Sequence, residues 1–365
     1  MSSVYGFFGF GAGLTPATVK GTKGDRDVPL PSVAPPPGQT LLHPTHKMSL
    51  RYDPEFEAAA GPTLAQYAAS GSPALYDVQA RRNRFQQALK KDAKCQIPEA
   101  LETIVHHAPS SDGHLVEIYH VRKRENSAAG PHPAILHIHG GGYFSFSAAQ
   151  SVQSMVDYVS QSGVQMLSVE YRLAPEHPFP TPLEDCWAAL TWVYSNAEHL
   201  NIDTKRIGVM GESAGGGLAA NLALLARDRV LSPPLAKQIL IYPMLDDRTA
   251  TDNTNGLAFF DVSDCITGWA AYLGKDVVGT DRVPKYAAAA RNLDVRGLPV
   301  LYLDCPQLDI LLTENIRYLV QFVEAKIPTE FHMYPGLPHG FTSLAPGSSF
   351  SQRAIQNRVR AMLNF

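Results

Sequence analysis

Gly211-Glu-Ser-Ala-Gly215 stands between a short apolar run at 206–210 and a helical stretch at 216–229. A serine on a strand-to-helix turn is strained, with neighbouring chains close on either side. Glycines two positions before and after it relieve that crowding. The turn also sets Ser213 at a helix N-terminus, where the dipole favours the negative charge that builds up during nucleophilic attack. A Gly-x-Ser-x-Gly string alone is common, and an ordinary glycine-rich turn would read the same. The strand before it and the helix after it make Ser213 a candidate nucleophile.

The same alternation extends in both directions. Apolar runs occur at 134–138, 165–169, 206–210, 238–242, 299–303 and 329–334, and helical patterns at 152–161, 183–199, 216–229, 314–325 and 352–363. This predicts an α/β fold, a mostly parallel sheet with helices on both faces. Right-handed crossovers then gather the strand C-terminal ends along one edge, where ligands bind. Upstream, 102–107 and 115–121 read as a hairpin joined by Ser111-Asp-Gly113. Residues 53–91 are helical, with breaks at Gly61-Pro62 and Ser70-Gly-Ser-Pro73. Residues 246–291 hold Asn253-Thr-Asn-Gly256 and an aromatic stretch at 259–272 but no clear strand, so they read as a helical insertion over the sheet edge.

Residues 1–47 differ from the rest. They are aromatic and glycine-rich at 4–14 and proline-rich at 28–44, and they lack an amphipathic period. We read them as a mobile arm, without the charged start of a signal peptide. The expected organisation is that arm, an N-terminal helical segment at 48–98, and a catalytic domain at 99–365 with its insertion at about 246–291.

Composition narrows the function classes. Of 365 residues 45% are hydrophobic and 18% charged, with a formal net charge of −3. That excludes an intrinsically disordered chain and leaves no electrostatic footprint for nucleic acid or anionic membrane. No run approaches the roughly 20 apolar residues that span a bilayer. Cys95, Cys186, Cys265 and Cys305 are scattered with no CxxC pair. This argues against a zinc site or disulfide framework and fits a cytoplasmic setting.

Two further segments carry chemistry. His139-Gly-Gly-Gly142 follows the run at 134–138. Successive glycines let backbone N–H groups approach a substrate oxygen, which is how an oxyanion hole is built. The expected donors are the amides of Gly141, Gly142 and Ala214, with His139 as a positioning residue. The base is sought among 13 histidines. His339, in Pro335-Gly-Leu-Pro-His-Gly-Phe341, directly follows the last apolar run at the same sheet edge, whereas His332 falls inside that run. Asp304 and Asp309 are both candidates for the acid that orients His339. Asp309 lies in the turn beyond the strand end, where a carboxylate reaches a loop histidine, and is the preferred choice.

Taken together, these motifs resemble the hormone-sensitive-lipase-like branch of the α/β-hydrolases, the carboxylesterases with a His-Gly-Gly-Gly signature. The similarity covers about 53 to 365 and is carried by 139–142, 211–216, Tyr171-Arg-Leu-Ala-Pro-Glu-His-Pro-Phe-Pro180, Tyr242-Pro243, Asp309 and His339. It implies an α/β-hydrolase fold with a helical cap built from 53–91 and 246–291, a catalytic set Ser213, Asp309 and His339, and no cofactor or metal. Two departures stand out. Pro306-Gln307 replaces a frequent Gly-Glu, and Leu312-Thr313 the usual Arg-Asp. Arg172 and Glu176 are expected to pair beneath the site.

The resulting expectation is a serine carboxylesterase acting on short to medium acyl esters. A small-molecule ester is its partner, with neither nucleic acid nor a transmembrane segment, and a homodimer stays open. The same machinery could serve an amide, a lactone or a secondary-metabolite ester. A silent ligand-binding receptor would have lost one of the three residues, and all three are present. Tyr143, Phe259, Phe260 and Trp269 are the expected substrate contacts, with Tyr272 beside them.

Overall fold

A computed structural model describes residues 49–89, 95–124 and 130–365. The arm expected at 1–47 lies outside the described residues. Eight strands form one sheet: β1 Leu101–Pro109, β2 Leu115–Lys123, β3 His132–Ile138, β4 Gln165–Val169, β5 Ile202–Glu212, β6 Lys237–Ile241, β7 Val300–Leu308 and β8 Thr329–Pro338. The order is β1-β2-β4-β3-β5-β6-β7-β8. β1 and β2 form the antiparallel hairpin and β2 meets β4 antiparallel, while every later pairing is parallel. β4 and β6 are buried at every residue, as expected of central parallel strands covered on both faces.

The helices are α1 Pro54–Ala69, α2 Val78–Leu89, α3 Val152–Ser162, α4 Thr181–Ser195, α5 Ala214–Asp228, α6 Val262–Leu273, α7 Leu312–Glu324, α8 Phe341–Leu344 and α9 Ser349–Leu363. α3 and α9 pack together against the sheet; α4 and α5 pack together against it too, and α7 covers β7 and β8. The strand-helix alternation read from the sequence is the one found, and the insertion at 246–291 holds α6. Gly61-Pro62, expected as a break, lies inside α1. The chain breaks only once there, at 70–77, between α1 and α2. A Cβ at Gly61 would meet nothing within 4 Å, so the turn before Pro62 is uncrowded and the helix continues at the cost of one backbone bond.

α1 packs on α8 and α2 on α6, so the two N-terminal helices adjoin the insertion and the segment after β8. Both α1 and α6 start on side-chain caps. Asp53 accepts from the amides of Glu55 and Phe56, and Asp261 and Asp264 form a capping box.

Candidate active site

The turn after β5 is built by crowding. Ser213 has φ +54° and ψ −121°, a backbone conformation that side chains rarely adopt. A Cβ on Gly211 would lie 2.3 Å from the Gly215 carbonyl oxygen, and one on Gly215 would lie 2.1 Å from that of Ile138. Neither could be accommodated, which is the physical content of the Gly-x-Ser-x-Gly spacing. The strained residue is pinned on both sides. Its N–H donates to the Ile241 carbonyl at 2.9 Å, and its own carbonyl accepts from Gly217 and Met244.

The 139–142 turn comes against this elbow. A Cβ on Gly140 would lie 2.9 Å from the Glu212 carbonyl oxygen. Gly141 has φ +119°, and its carbonyl accepts the Phe144 and Ser145 amides to close the turn. Gly140, Gly141 and Gly142 line the cavity above Ser213. Ala214 is the first residue of α5, so its N–H has no intrahelical acceptor. His139 is buried, with its ring stacked on Tyr171 at 4.2 Å.

A line of hydrogen bonds joins the three other expected residues. His339 Nε2 is 2.9 Å from Ser213 Oγ, and His339 Nδ1 is 2.6 Å from Asp309 Oδ2. The second Asp309 oxygen accepts the Leu311 amide at 2.9 Å. Asp309 is fully buried and His339 nearly so. A register shift between β7 and β8 sets Leu308 opposite Pro338, which brings Asp309 beside His339. Gln307, one of the departures, donates nothing to the site but accepts the Gly336 amide at 3.1 Å and ties the histidine's loop to β7. Asp304 is committed elsewhere. Its two oxygens take Arg358 Nη2 at 3.0 Å and Nε at 2.7 Å, and Tyr302 donates to it as well.

A cavity of about 520 Å³ opens over Ser213. Its apolar lining is mostly aromatic, with Phe85, Phe146, Tyr158, Tyr242, Phe259 and Phe260 beside the smaller Ala149, Pro346 and Ile355. Tyr242 and Phe260 flank His339 with ring centroids at 4.5 and 5.2 Å. Phe259 and Phe260 therefore stand where expected, but Tyr143 and Trp269 do not line the cavity. Gly268 of α6 approaches the Gly142 carbonyl so closely that a Cβ would lie 2.8 Å from it. That contact buries the neighbouring rings beneath the glycine turn. Tyr143 stacks on Tyr272 at 4.2 Å and donates to the Met244 carbonyl, and Trp269 packs on Tyr143 at 5.2 Å. Phe85 and Phe146 had escaped the sequence reading, since no spacing ties an aromatic on α2 to Ser213.

The expected Arg172–Glu176 pair does not form. Arg172 binds Asp185 and Asp112, each at 2.7 Å, and Glu176 binds Arg82 of α2 at 2.7 Å. A bidentate carboxylate on α4, Asp185, outcompetes one four positions away. Glu314 was also unforeseen. It is buried at the start of α7 and accepts the Leu245 and Asp246 amides and the Thr249 hydroxyl. Burial pushes its carboxyl up to about 8, against the hydrogen bonds that lower it. Cys305, whose neighbours include Asp309, has its thiol raised by burial first and by those charges second.

The strand order, the elbow and the serine–histidine–aspartate line together define an α/β-hydrolase. A family model described as alpha/beta hydrolase fold matches residues 135–343. The chain is 35% identical over 220 residues to the carboxylesterase NlhH of Mycobacterium tuberculosis, covering 58% of this chain and 67% of that one. It is 25% identical over 259 residues to the hormone-sensitive lipase of Mus musculus, covering 69% and 31%. The solved structure of a bacterial heroin esterase superposes with a TM-score of 0.75 at 34% identity, covering 84% of this chain and 98% of that one. The chain belongs to the α/β-hydrolase fold family, in its hormone-sensitive-lipase-like branch.

Proposed function

We infer that the chain is a serine carboxylesterase that hydrolyses esters through an acyl-enzyme on Ser213. The observation that carries this reading is the continuous line Ser213 Oγ–His339–Asp309 at 2.9 and 2.6 Å, ending under an open cavity. Ser213 Oγ attacks the ester carbonyl carbon as His339 Nε2 takes its proton, and Asp309 accepts from Nδ1–H and stabilises the imidazolium. The carbonyl oxygen becomes an oxyanion held by the amides of Gly141, Gly142 and Ala214. One such donor is worth on the order of 2.7–4 kcal/mol of barrier. Collapse expels the alcohol, which takes the proton from Nε2. Water then gives its proton to the same nitrogen as it attacks the acyl carbon, and the carboxylic acid leaves with Ser213 restored.

α1, α2 and the insertion carrying α6 act as the cap, and a cavity of about 520 Å³ lined largely by aromatic rings suits short to medium acyl groups. No helix among the described residues is long and apolar enough to cross a membrane. A cytoplasmic setting belongs to this proposal through the scattered cysteines.

The test is Ser213→Ala with p-nitrophenyl butyrate. The variant should fold normally and lose kcat by about 10⁴ or more, and a phosphonate ester should label Ser213 of the wild type alone. Near wild-type turnover by a folded Ser213→Ala chain would refute the reading.

A further inference from the structure

We propose that the buried Arg81–Asp264 pair is the specificity-setting pin of this site, holding Phe85 of α2 against Phe260 of the insertion and so limiting the acyl length the cavity admits. The inference rests on the carboxylesterase reading above and assigns the limit to two positioning residues that line no part of the cavity.

Both side chains are completely buried, with Arg81 Nε 2.9 Å from Asp264 Oδ1. Every guanidinium N–H of Arg81 has an acceptor. Nη1 reaches the carbonyls of Ala74 and Asp77, and Nη2 reaches the Pro73 carbonyl and the Ser263 hydroxyl. The second Asp264 oxygen accepts the Tyr67 hydroxyl and the Asp261 amide. One ion pair thus joins α1, α2, the break between them, and the start of α6. A buried pair with all partners in place fixes geometry more than it adds stability.

What it fixes is the cavity wall. Phe85 lies one helical turn beyond Arg81, and Phe259 and Phe260 lie directly before the Asp261 cap of α6. Across the gap Phe85 contacts Phe146 and Phe260, with centroids at 6.2 and 6.3 Å, and Tyr67 packs on Phe259 at 4.4 Å with the rings tilted. The two segments, nearly two hundred positions apart, also meet through Ser72–Ser263 and Tyr76–Thr267, both less buried. The pin is the ion pair between them whose two side chains are both fully buried, so it holds their spacing. The charged and titratable groups facing Asp264 are Arg81, Arg84, Asp261 and Tyr67. Burial pushes the Asp264 carboxyl up to about 6, with Asp261 adding to the shift and Arg81 and Arg84 opposing it. The pair is therefore ionised at neutral pH and dissolves as pH falls through that value.

The experiment measures kcat and KM for p-nitrophenyl acetate, butyrate, hexanoate and octanoate with the full chain. In Arg81→Met/Asp264→Leu, which removes both charges, kcat on acetate should stay within threefold. The octanoate-to-acetate ratio of kcat/KM should rise about tenfold through a lower octanoate KM. Arg81→Lys should move the ratio less, in the same direction. A second measurement needs only the wild type: the ratio should rise severalfold from pH 7.5 to pH 5 as Asp264 is protonated, since any pH effect on the chemical step common to both esters cancels in the ratio. A folded double variant with an unchanged ratio, or a wild-type ratio flat with pH, would overturn the pin. A wild type inert toward the whole series would instead strike the esterase reading.

Discussion

The sheet edge and the helical layer above it are held by different forces. At the edge, backbone meets backbone. Gly140, Gly211 and Gly215 let the elbow and the 139–142 turn come within contact distance, leaving no room for a methyl group. In the helical layer, side chains do the holding, through Arg81–Asp264, Arg82–Glu176 and Glu314 with the 245–249 segment. Rigid backbone positions the reacting atoms, while replaceable ion pairs set what reaches them. One sheet edge can thus keep its chemistry while its upper layer changes substrate.

The contrast is sharpest at the two aspartates around the end of β7, both fully buried. We expect Asp309→Asn to keep its fold and lose kcat by roughly 10⁴, because the amide favours the wrong imidazole tautomer and cannot stabilise the imidazolium. Asp304→Asn should leave kcat within a few-fold but lower stability by about 3–5 kcal/mol, since Arg358 is left buried and unpaired. Steady-state kinetics and urea melts on the two variants decide. A crippled but stable Asp304→Asn would reverse the assignment.

Gly215→Ala tests the edge at an intermediate size of effect. The added methyl faces the carbonyls of Ile138 and His139 at 2.1 and 2.3 Å, so the elbow must move away from the oxyanion turn. We expect a loss of at least about 10² in kcat, or insoluble protein. Wild-type kinetics would show that the edge yields more readily than its packing implies.

The smallest effect belongs to the helical layer. Glu314, raised to about 8 by burial, keeps its proton in the fold while the unfolded chain loses it near the ordinary glutamate value. The folded state binds more protons across that interval, so its stability falls as pH rises from about 5 to 8. Glu314→Gln resembles the protonated acid and removes that slope. Its melting temperature should exceed that of the wild type by a margin that grows over this window and levels off above it. A margin independent of pH would mean that Glu314 is ionised throughout.

The edge was legible because its constraints are local. A glycine needed for close approach leaves a mark at fixed spacing, and a strand followed by a helix can be read on either side of it. Ser213 and the 139–142 turn were read in this way, and His339 from its place just after the last apolar run; the structure brings the serine and the histidine within 2.9 Å. Asp309 was harder, because the apolar run ends at 303, directly before Asp304, and Arg358, fifty-four positions away, is what shows that Asp304 is occupied. The helical layer left no such mark. Phe85, Arg81 and Glu314 act through partners brought close by the fold, and Arg172 finds Asp185 on α4 in preference to its near neighbour Glu176. Tyr143 and Trp269 were misplaced for the same reason. Their aromatic character was plain, but which side of the glycine turn they occupy depends on Gly268 meeting Gly142.

The separation of Ser213 from His339, 126 positions along the chain, has a kinetic meaning. Their hydrogen bond requires β5 and β8 to be joined through β6 and β7, and each of those parallel pairings is made by a crossover whose loop-closure entropy is spent before its contacts form. Ester cleavage therefore reports a non-local stage of refolding, one reached only when β5 and β8 are both in register. Recovered turnover should lag recovered helical signal, and the interval between them measures how long the sheet takes to close its register.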